Sequence, residues 1–243
     1  MPSTSNSLTT RVTWAQQSVT KAISWSSRVW VSDDYKSQVP SQATGLNDLL
    51  LDTKRAFKHD QTTTVAKIEL SQRAMVLKRY NPRSQWHKVK RALRRSRARR
   101  CWQMSYAFSK AGLNVAAPIM MFEHRLGPFR LDAYFLNEFL EGQELLTLLP
   151  SLERDKQLEI AEAVEHAFDK MKRARLTHGD LKASNLMWSD NQLYFIDLDA
   201  AQQHHNPVTW MKGHSKDRKR FLKNWHGNEE LLKVFDEIVD EHR

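Results

Sequence analysis

The chain has 243 residues, 40% of them hydrophobic, which is enough for one two-lobed domain or two small domains with a buried core. Its single cysteine, Cys101, excludes a disulfide framework and a thiolate-rich metal site, as is usual in the cytoplasm. We expect neither a secretory signal nor a membrane span, because no apolar run approaches the roughly 20 residues that cross a bilayer. The formal charge of +10 favours anionic ligands, whether nucleic acid, acidic lipid headgroups or phosphorylated small molecules.

The first elements of the chain are a tail and a hairpin. Residues 1–12 are rich in Ser and Thr, which predicts a disordered tail. Residues 62–70 and 74–80 are rich in β-branched and aliphatic side chains, and the short polar segment between them predicts a β-hairpin.

A strongly basic segment follows Asn81-Pro82 and contains no acidic residue up to Arg100. Its apolar residues recur mainly at spacings of three and four, which predicts an amphipathic helix that ends at Gly112 and is broken near Ser96. These apolar residues are Trp86, Val89, Leu93, Cys101, Met104 and Phe108. Two strands are then predicted at 115–121 and 130–139, with a polar turn at 124–128.

The second half of the chain is mainly helical by its pattern. Ser151 is predicted to cap a helix whose apolar stripe leads directly to His178. The stripe consists of Ile160, Val164, Phe168 and Met171. A short strand at 193–198 and helices at 216–225 and 229–240 complete the prediction.

The segment from His178 to Asn185, together with Asp197, is typical of phosphoryl-transfer sites. Such a site needs a carboxylate near the acceptor hydroxyl and oxygen ligands for magnesium. Asp180 and Asn185 lie five residues apart, and Asp197 follows Asn185 by twelve, after a predicted hairpin. This order matches the catalytic Asp, metal-binding Asn and metal-binding Asp of kinases.

Two lysines complete the predicted site. Lys182, two residues after Asp180, is placed to balance charge on the migrating phosphoryl group. Lys78, third from the end of an apolar strand, lies where kinases hold the α- and β-phosphates of the nucleotide.

Residues 76–80, 96–118 and 177–200, and more weakly 137–142, resemble the lipopolysaccharide kinase (Kdo/WaaP-like) family of the protein-kinase-like fold. The resemblance covers most of the chain from about residue 60. It implies an α+β, bilobal protein-kinase-like fold with an antiparallel β N-lobe and a shortened helical C-lobe. On this basis residues 1–12 form the tail, 13–138 the N-lobe with the basic helix, and 139–243 the C-lobe with the catalytic loop.

The resemblance also implies roles for the site residues. Asp180 would be the catalytic base, Asn185 and Asp197 the magnesium ligands, and Lys78 the phosphate-gripping lysine. Residues 138–140 would form the adenine-binding hinge, so that Glu138 and Leu140 contact the nucleotide. The implied cofactors are ATP and Mg²⁺, and the implied acceptor is a sugar hydroxyl, of Kdo or heptose, in the lipopolysaccharide inner core of a Gram-negative bacterium.

The chain departs from the kinase pattern in its N-lobe and after Asp197. No Gly-x-Gly-x-x-Gly precedes Lys78, and Cys101 stands where relatives often carry the Glu that pairs with this lysine. Glu123 or Glu138 are candidate substitutes. Asp197-Leu198-Asp199 also lacks the Gly that follows the metal-binding Asp in protein kinases. Asp199 has two interpretations, a second acidic contact or a structural hydrogen bond.

Two features argue against a peptide substrate. Gly179 stands where many protein kinases have the Arg that reads a phosphorylated activation loop. Only 46 residues follow Asp197, too few for a helical platform that docks peptides. The expected acceptor is therefore a small molecule or a glycolipid headgroup.

The basic helix at 91–100 has two interpretations: a solvated cationic face, or a surface for the anionic glycolipid or the inner-membrane headgroups. Nucleic acid is not expected, because the aromatic residues lie on the apolar stripe. We expect a cytoplasmic protein, with peripheral contact to the inner membrane left open.

Two alternative functions are also compatible with the sequence. A metabolite or antibiotic phosphotransferase keeps the chemistry, but such enzymes typically have His at the position of Lys182 and acidic pockets, which disagree with the charge of +10. A pseudokinase-like adaptor is favoured by Cys101 and the absent Gly-rich loop. It is opposed by the retained residues Asp180, Lys182, Asn185 and Asp197.

Overall fold

The computed structural model describes residues 18–40, 42–51, 56–59, 63–80 and 96–240. These residues form a β-rich N-lobe and a mainly helical C-lobe, as the sequence predicts. The predicted disordered tail at 1–12 and the stripe residues Trp86, Val89 and Leu93 lie outside the described residues.

The N-lobe is built on one antiparallel sheet of seven strands. They are β1 (Val19–Ile23), β2 (Ser27–Ser32), β3 (Ala56–His59), β4 (Thr63–Leu70), β5 (Arg73–Tyr80), β7 (Pro118–Leu126) and β8 (Phe129–Glu138). Their order in the sheet is β1-β2-β7-β8-β5-β4-β3. The short β6 (Asn114–Val115) belongs to a C-lobe sheet instead.

Helices cover the two faces of this sheet. On one face, Leu46 of α1 (Ala43–Leu51) packs with Leu77 and Leu136. On the other face, Trp102 of α2 (Arg97–Lys110) packs with Phe135. Because successive side chains of a strand point to opposite faces, Lys78 lies on the α2 face and Leu77 on the α1 face.

The predicted hairpin at 62–70 and 74–80 is confirmed as β4 and β5. Its turn residues, Ser71 and Gln72, both have left-handed backbones, with φ of 51° and 62°. Two left-handed residues form the tight turn whose twist matches the flanking strands.

The predicted amphipathic helix is confirmed from Arg97 onward. Ser96 caps it: the backbone N–H of Arg99 donates to the Ser96 hydroxyl at 2.9 Å. Of the apolar stripe, Cys101 and Phe108 are buried and Met104 is partly buried.

β7 begins at Pro118 and ends at Leu126 instead of the predicted 115 and 121, β8 keeps its predicted length but begins one residue earlier, and only Gly127 and Pro128 separate the two strands. The predicted turn at 124–128 was too long because polar residues were assigned to it. Arg125 donates to the buried Glu123 carboxylate at 3.1 Å, so both polar residues are accommodated within the strand.

In the C-lobe, the buried stripe from Ile160 to Met171 is confirmed on α4 (Arg154–Ala174), which follows the short α3 (Leu145–Leu148). The predicted N-cap was wrong. Ser151 lies in a 3-10 turn and its hydroxyl donates to the Leu148 carbonyl at 2.7 Å, so the cap position falls at Glu153.

Two helices end the fold. α5 (Pro207–Leu222) begins nine residues before the predicted start at 216, because Asn206 caps it by accepting from the Val208 N–H at 2.8 Å. α6 (Glu229–Asp240) has the predicted bounds. Phe221, Trp225 and Phe235 pack together between them. No helix in the described part of the chain has the length and apolar character to cross a membrane.

Short strands connect the lobes and hold the loops of the site. The hairpin of β11 (Leu186–Ser189) and β12 (Gln192–Phe195) pairs with β6 on one side and β9 (Gln143–Glu144) on the other. A second pair joins β10 (Leu176–Thr177) to β13 (Gln202–Gln203).

Candidate active site

The β11–β12 hairpin brings Asn185 and Asp197 together at its base. The backbone N–H of Ile196, the neighbour of Asp197, donates to the Asn185 carbonyl at 3.0 Å. Strand β12 ends at Phe195, earlier than the predicted 198, because Asp197 has a left-handed backbone with φ 60° and ψ 53°. This turn directs the chain away from the hairpin directly after the two candidate metal ligands.

The Asp180 carboxylate lies between two cations. Lys182 Nζ is 3.3 Å from Asp180 Oδ2, and the Arg220 guanidinium, from α5, contacts Asp180 Oδ1. Sequence reasoning identified Lys182 but missed Arg220. The arrangement places positive charge beside the group that would receive a proton from an acceptor.

The side-chain amide of Asn185 is oriented by the catalytic loop. Its Nδ2 donates to the Asp180 carbonyl at 2.8 Å, which leaves Oδ1 as its acceptor atom. No cluster of three or more His, Cys, Asp or Glu residues exists among the described residues. Asn185 and Asp197 nevertheless fit Mg²⁺, which in phosphoryl-transfer sites takes one or two protein carboxylates and completes its octahedron with phosphate oxygens and water.

Lys78 makes an ion pair between the two lobes. Its Nζ lies 3.0 Å from Asp197 Oδ1, a contact across 119 positions of the chain. Burial would lower the pKa of the Lys78 ammonium, but the carboxylates of Asp197 and Asp199 outweigh burial and raise this pKa. Lys78 is therefore a fixed cation beside the candidate metal ligands.

Cys101 does not replace the missing glutamate as a charged partner of Lys78. Burial raises the pKa of the Cys101 thiol to about 12, so the thiol is neutral at physiological pH. Its sulfur lies 3.3 Å from the Tyr80 hydroxyl. Glu123, one candidate substitute, instead pairs with Arg125.

The buried thiol predicts slow alkylation and a dependence of stability on pH. At pH 8 we expect the folded protein to react with iodoacetamide at least about a hundredfold more slowly than the unfolded chain, because the thiolate is the nucleophile. Since the thiol pKa is raised on folding, the free energy of unfolding should fall as pH rises from about 9 toward 12. Urea titrations at several pH values measure this slope. Cys101→Ala should reduce the slope without abolishing it, because burial also raises the pKa of Tyr80, Tyr106 and Tyr134; an identical slope in the variant would contradict the prediction.

Arginines of α2 attach this helix to the segment after Asp197. Arg97 Nε lies 3.5 Å from Asp199 Oδ2, and Arg100 donates to the Asp199 carbonyl at 3.1 Å. The Arg99 guanidinium lies over the Trp30 ring, at 4.9 Å from its centroid. These three arginines of the predicted basic helix therefore contact groups of the protein, although the Arg97 side chain is still 45% exposed. Residues 91–95 lie outside the described residues.

A buried carboxylate on α5 accepts hydrogen bonds from the backbone of the loop that precedes Asp180. Asp217 is 1% exposed and accepts from the backbone N–H groups of His178, at 2.7 Å, and Gly179, at 2.9 Å. Burial raises the pKa of the Asp217 carboxyl, and the loop amides oppose this shift. Sequence reasoning missed Asp217, because an acid amid basic residues gives no local signal of a partner 39 positions away.

The loop also passes very close to the segment after Asp197. Gly179 has a φ of +80°, and a Cβ on it would lie 2.5 Å from the Ala200 carbonyl oxygen. The ring of the buried His178 adds a second link, with Nε2 at 2.9 Å from the Ile196 carbonyl. The structure thus gives a steric reason for Gly at position 179.

Gly179→Ala is expected to lower the free energy of unfolding by about 2 kcal/mol or more, through left-handed strain and the contact with Ala200. Gly227→Ala is the matched control, because Gly227 has a φ of +101° but open space around its Cβ position. Urea denaturation of both variants separates strain from collision. Equal losses in the two variants would show that the Ala200 contact contributes nothing.

The hinge segment joins β8 to the C-lobe. Glu138 ends β8, and Leu140 packs with Ala116, Tyr194 and the half-buried Met187 and Ile196. Ile196 directly precedes Asp197, so this apolar cluster extends from the hinge to the candidate metal ligands. Met187 and Ile196 are further candidate site residues that sequence reasoning missed.

A cleft borders the hinge on the α1 side of the N-lobe sheet. Glu138 and Leu140 line it together with Tyr35, Met75 and Ile119. Met75 and Ile119 belong to the α1 face of the sheet, opposite to Lys78. This cleft is therefore distinct from the region around Asp180.

An antiparallel N-lobe, a helical C-lobe and the ordered series of Lys78, Asp180, Asn185 and Asp197 define a protein of the protein-kinase-like fold class. A solved structure described as WaaP in complex with acyl carrier protein has the same fold, with a TM-score of 0.59 over 88% of this chain and 99% of that chain, at 16% identity. The model of the lipopolysaccharide kinase (Kdo/WaaP) family matches residues 49–230, and the chain belongs to this family of kinases.

A curated relative matches part of the chain. The KEOPS complex subunit Bud32 of Pyrococcus abyssi is 34% identical over 65 residues, which are 27% of this chain and 30% of that protein. The chain thus matches less than a third of this relative's length.

Proposed function

We propose that the protein transfers the γ-phosphoryl group of ATP to a sugar hydroxyl, of Kdo or heptose, in the lipopolysaccharide inner core. The single observation that carries this proposal is the Lys78–Asp197 ion pair of 3.0 Å next to the Asp180–Asn185 loop. It brings together, from the two lobes, the lysine and the carboxylate proposed to bind the nucleotide phosphates and Mg²⁺, in a chain of the lipopolysaccharide kinase family.

The nucleotide would lie between the hinge and this ion pair. Glu138 and Leu140 would receive the adenine, with Met187 and Ile196 as an apolar floor beneath it. Lys78 would hold the phosphates. Bound Mg²⁺, on Asn185 and Asp197, would neutralise the developing charge on the phosphate oxygens.

Asp180 would act on the acceptor. As the hydroxyl oxygen forms its bond to the γ-phosphorus, the bond from that phosphorus to the β-phosphate oxygen breaks and ADP leaves. The hydroxyl proton passes to the Asp180 carboxylate. Lys182, 3.3 Å from this carboxylate, would balance charge on the transferred group.

The place of action would be the cytoplasmic side of the inner membrane of a Gram-negative bacterium, where a core sugar and ATP meet. Peripheral contact with anionic headgroups is part of this proposal, given the net charge of +10.

The test is transfer of labelled phosphate from ATP to inner-core lipopolysaccharide by the purified protein, with the modified sugar located by mass spectrometry. We expect transfer to Kdo or heptose that stops on addition of EDTA and returns with Mg²⁺. ATP binding without transfer to any lipopolysaccharide fraction would favour the pseudokinase-like adaptor. Transfer only to choline or an aminoglycoside would favour a small-molecule phosphotransferase.

A further inference from the structure

The exposed surface of α5 and the turn after it is cationic. Between Pro207 and Trp225 the only acidic residue is Asp217, which is 1% exposed and faces the catalytic loop. Six basic residues lie in the same segment: Lys212, Lys216, Arg218, Lys219, Arg220 and Lys223. The single negative charge of this segment is thus directed inward, and its positive charges lie at or near the surface.

Part of this surface adjoins Asp180. Arg220 lies three residues after Asp217, and its guanidinium contacts Asp180 Oδ1. Lys216 and Lys223 lie four residues before and three after Arg220, so all three side chains share one face. We call Lys216, Arg220 and Lys223 the α5 cationic ridge; all three are exposed.

The ridge differs from the basic surface of α2. Arg97 and Arg100 of α2 bind Asp199, whereas no described carboxylate forms an ion pair with Lys216 or Lys223. The acidic partner of Arg220 is Asp180, the residue proposed to receive the acceptor's proton. Exposed cations concentrate anionic ligands, and an arginine binds carboxylate or phosphate through two parallel hydrogen bonds.

We infer that the α5 cationic ridge binds carboxylate or phosphate groups of the acceptor's core oligosaccharide, with Arg220 engaging the anionic group nearest to the reacting hydroxyl. This inference rests on the proposed function. An anion on Arg220 draws the guanidinium from Asp180, so that the arriving acceptor itself frees the base that takes its proton.

The lysines of the ridge are tested with lipid-free inner-core oligosaccharide as the acceptor, so that no membrane contributes. Lys216→Gln/Lys223→Gln is expected to raise the KM for this acceptor about tenfold, with a smaller change in kcat. The matched control, Lys110→Gln/Lys156→Gln, removes the same charge from exposed positions elsewhere and should stay within about twofold of wild type. Equal KM values in the two double variants would overturn the inference.

A second experiment distinguishes binding of the acceptor's anionic group by Arg220 from a role in positioning Asp180 alone. The acceptor oligosaccharide is compared with the same oligosaccharide after reduction of its carboxylates and removal of its phosphates. Arg220→Gln should lower kcat/KM at least about tenfold more for the anionic acceptor than for the neutral one, and Arg220→Lys should restore part of this preference. An equal loss for both acceptors would show that Arg220 only positions Asp180.

Two further outcomes separate this inference from the proposed function. If wild type transfers no phosphate, the proposed function fails, and calorimetric binding of the oligosaccharide decides the inference: weaker binding by Lys216→Gln/Lys223→Gln than by its control supports it, and equal binding overturns it. Lys216→Gln/Lys223→Gln could instead keep the wild-type KM for the oligosaccharide and no longer sediment with phosphatidylglycerol vesicles. In that case the ridge binds membrane headgroups and the inference is wrong.

Discussion

Asp180→Asn is expected to lower kcat for phosphate transfer at least about a hundredfold, the usual contribution of a positioned general base. The amide is close in shape to the carboxylate but cannot take the hydroxyl proton. The Asn185 side-chain amide donates to the backbone carbonyl of Asp180 and not to its carboxylate, so the loop should keep its conformation in the variant. ATP affinity, measured by calorimetry, should change much less than kcat.

Asp155→Asn is the matched control, because Asp155 is an exposed acid in the first turn of α4 and takes no part in the site. Its kcat should equal that of wild type. Transfer by Asp180→Asn at the control's rate would show that Asp180 is not the base.

Asp217→Ala is expected to have the second large effect, on stability and activity together. The substitution leaves the buried N–H groups of His178 and Gly179 without their acceptor, which should lower the free energy of unfolding by about 2–4 kcal/mol. The loop that carries Asp180 would also lose its support, so kcat should fall. Urea denaturation and steady-state kinetics measure the two effects.

Asp217→Asn separates the two contributions of this carboxylate. Asn keeps one acceptor oxygen and should retain part of the stability, whereas Asp155→Asn should be near neutral. A loss of less than about 0.5 kcal/mol in Asp217→Ala, the usual size of a surface substitution, would mean that the amides of the loop find other partners.

The local elements of this protein were largely predictable because their signals are local. The β4–β5 hairpin follows from two apolar runs around a short polar turn, and the stripe of α4 from residues three and four apart. Asp180, Asn185 and Asp197 could be identified together because they lie close in sequence, on one loop and one hairpin. The assignment of these three residues to catalysis and metal binding stays a prediction.

The remaining site residues depend on contacts distant in sequence. Arg220 and Asp217 reach the catalytic loop only because α5 packs beneath it, and the sequence around them shows only a basic helix. The sequence predicts a later start for α5 because the residues before 216 resemble a polar connection, whereas Asn206 caps the helix and Pro207 begins it. Arg125 was placed in the predicted turn at 124–128 because nothing local indicates that it pairs with Glu123 inside a strand.

Cys101 stands where relatives often carry a Glu, and its role could be interpreted only from the tertiary structure. The sequence left open what holds Lys78, and a neutral buried thiol does not. Asp197 pairs with Lys78 directly, and arginines of α2 bind Asp199 two residues further on. The helix is thus attached to the segment that follows the candidate metal ligand Asp197, with the cations on the helix and the acid on the segment.

The decisive measurement is phosphate transfer to inner-core lipopolysaccharide by wild type and by Asp180→Asn, under identical conditions with ATP and Mg²⁺. We expect one phosphoryl group on a Kdo or heptose residue with wild type, and at least about a hundredfold less with the variant. Equal incorporation by the two proteins, or none by wild type on any core structure despite ATP binding, would contradict this expectation.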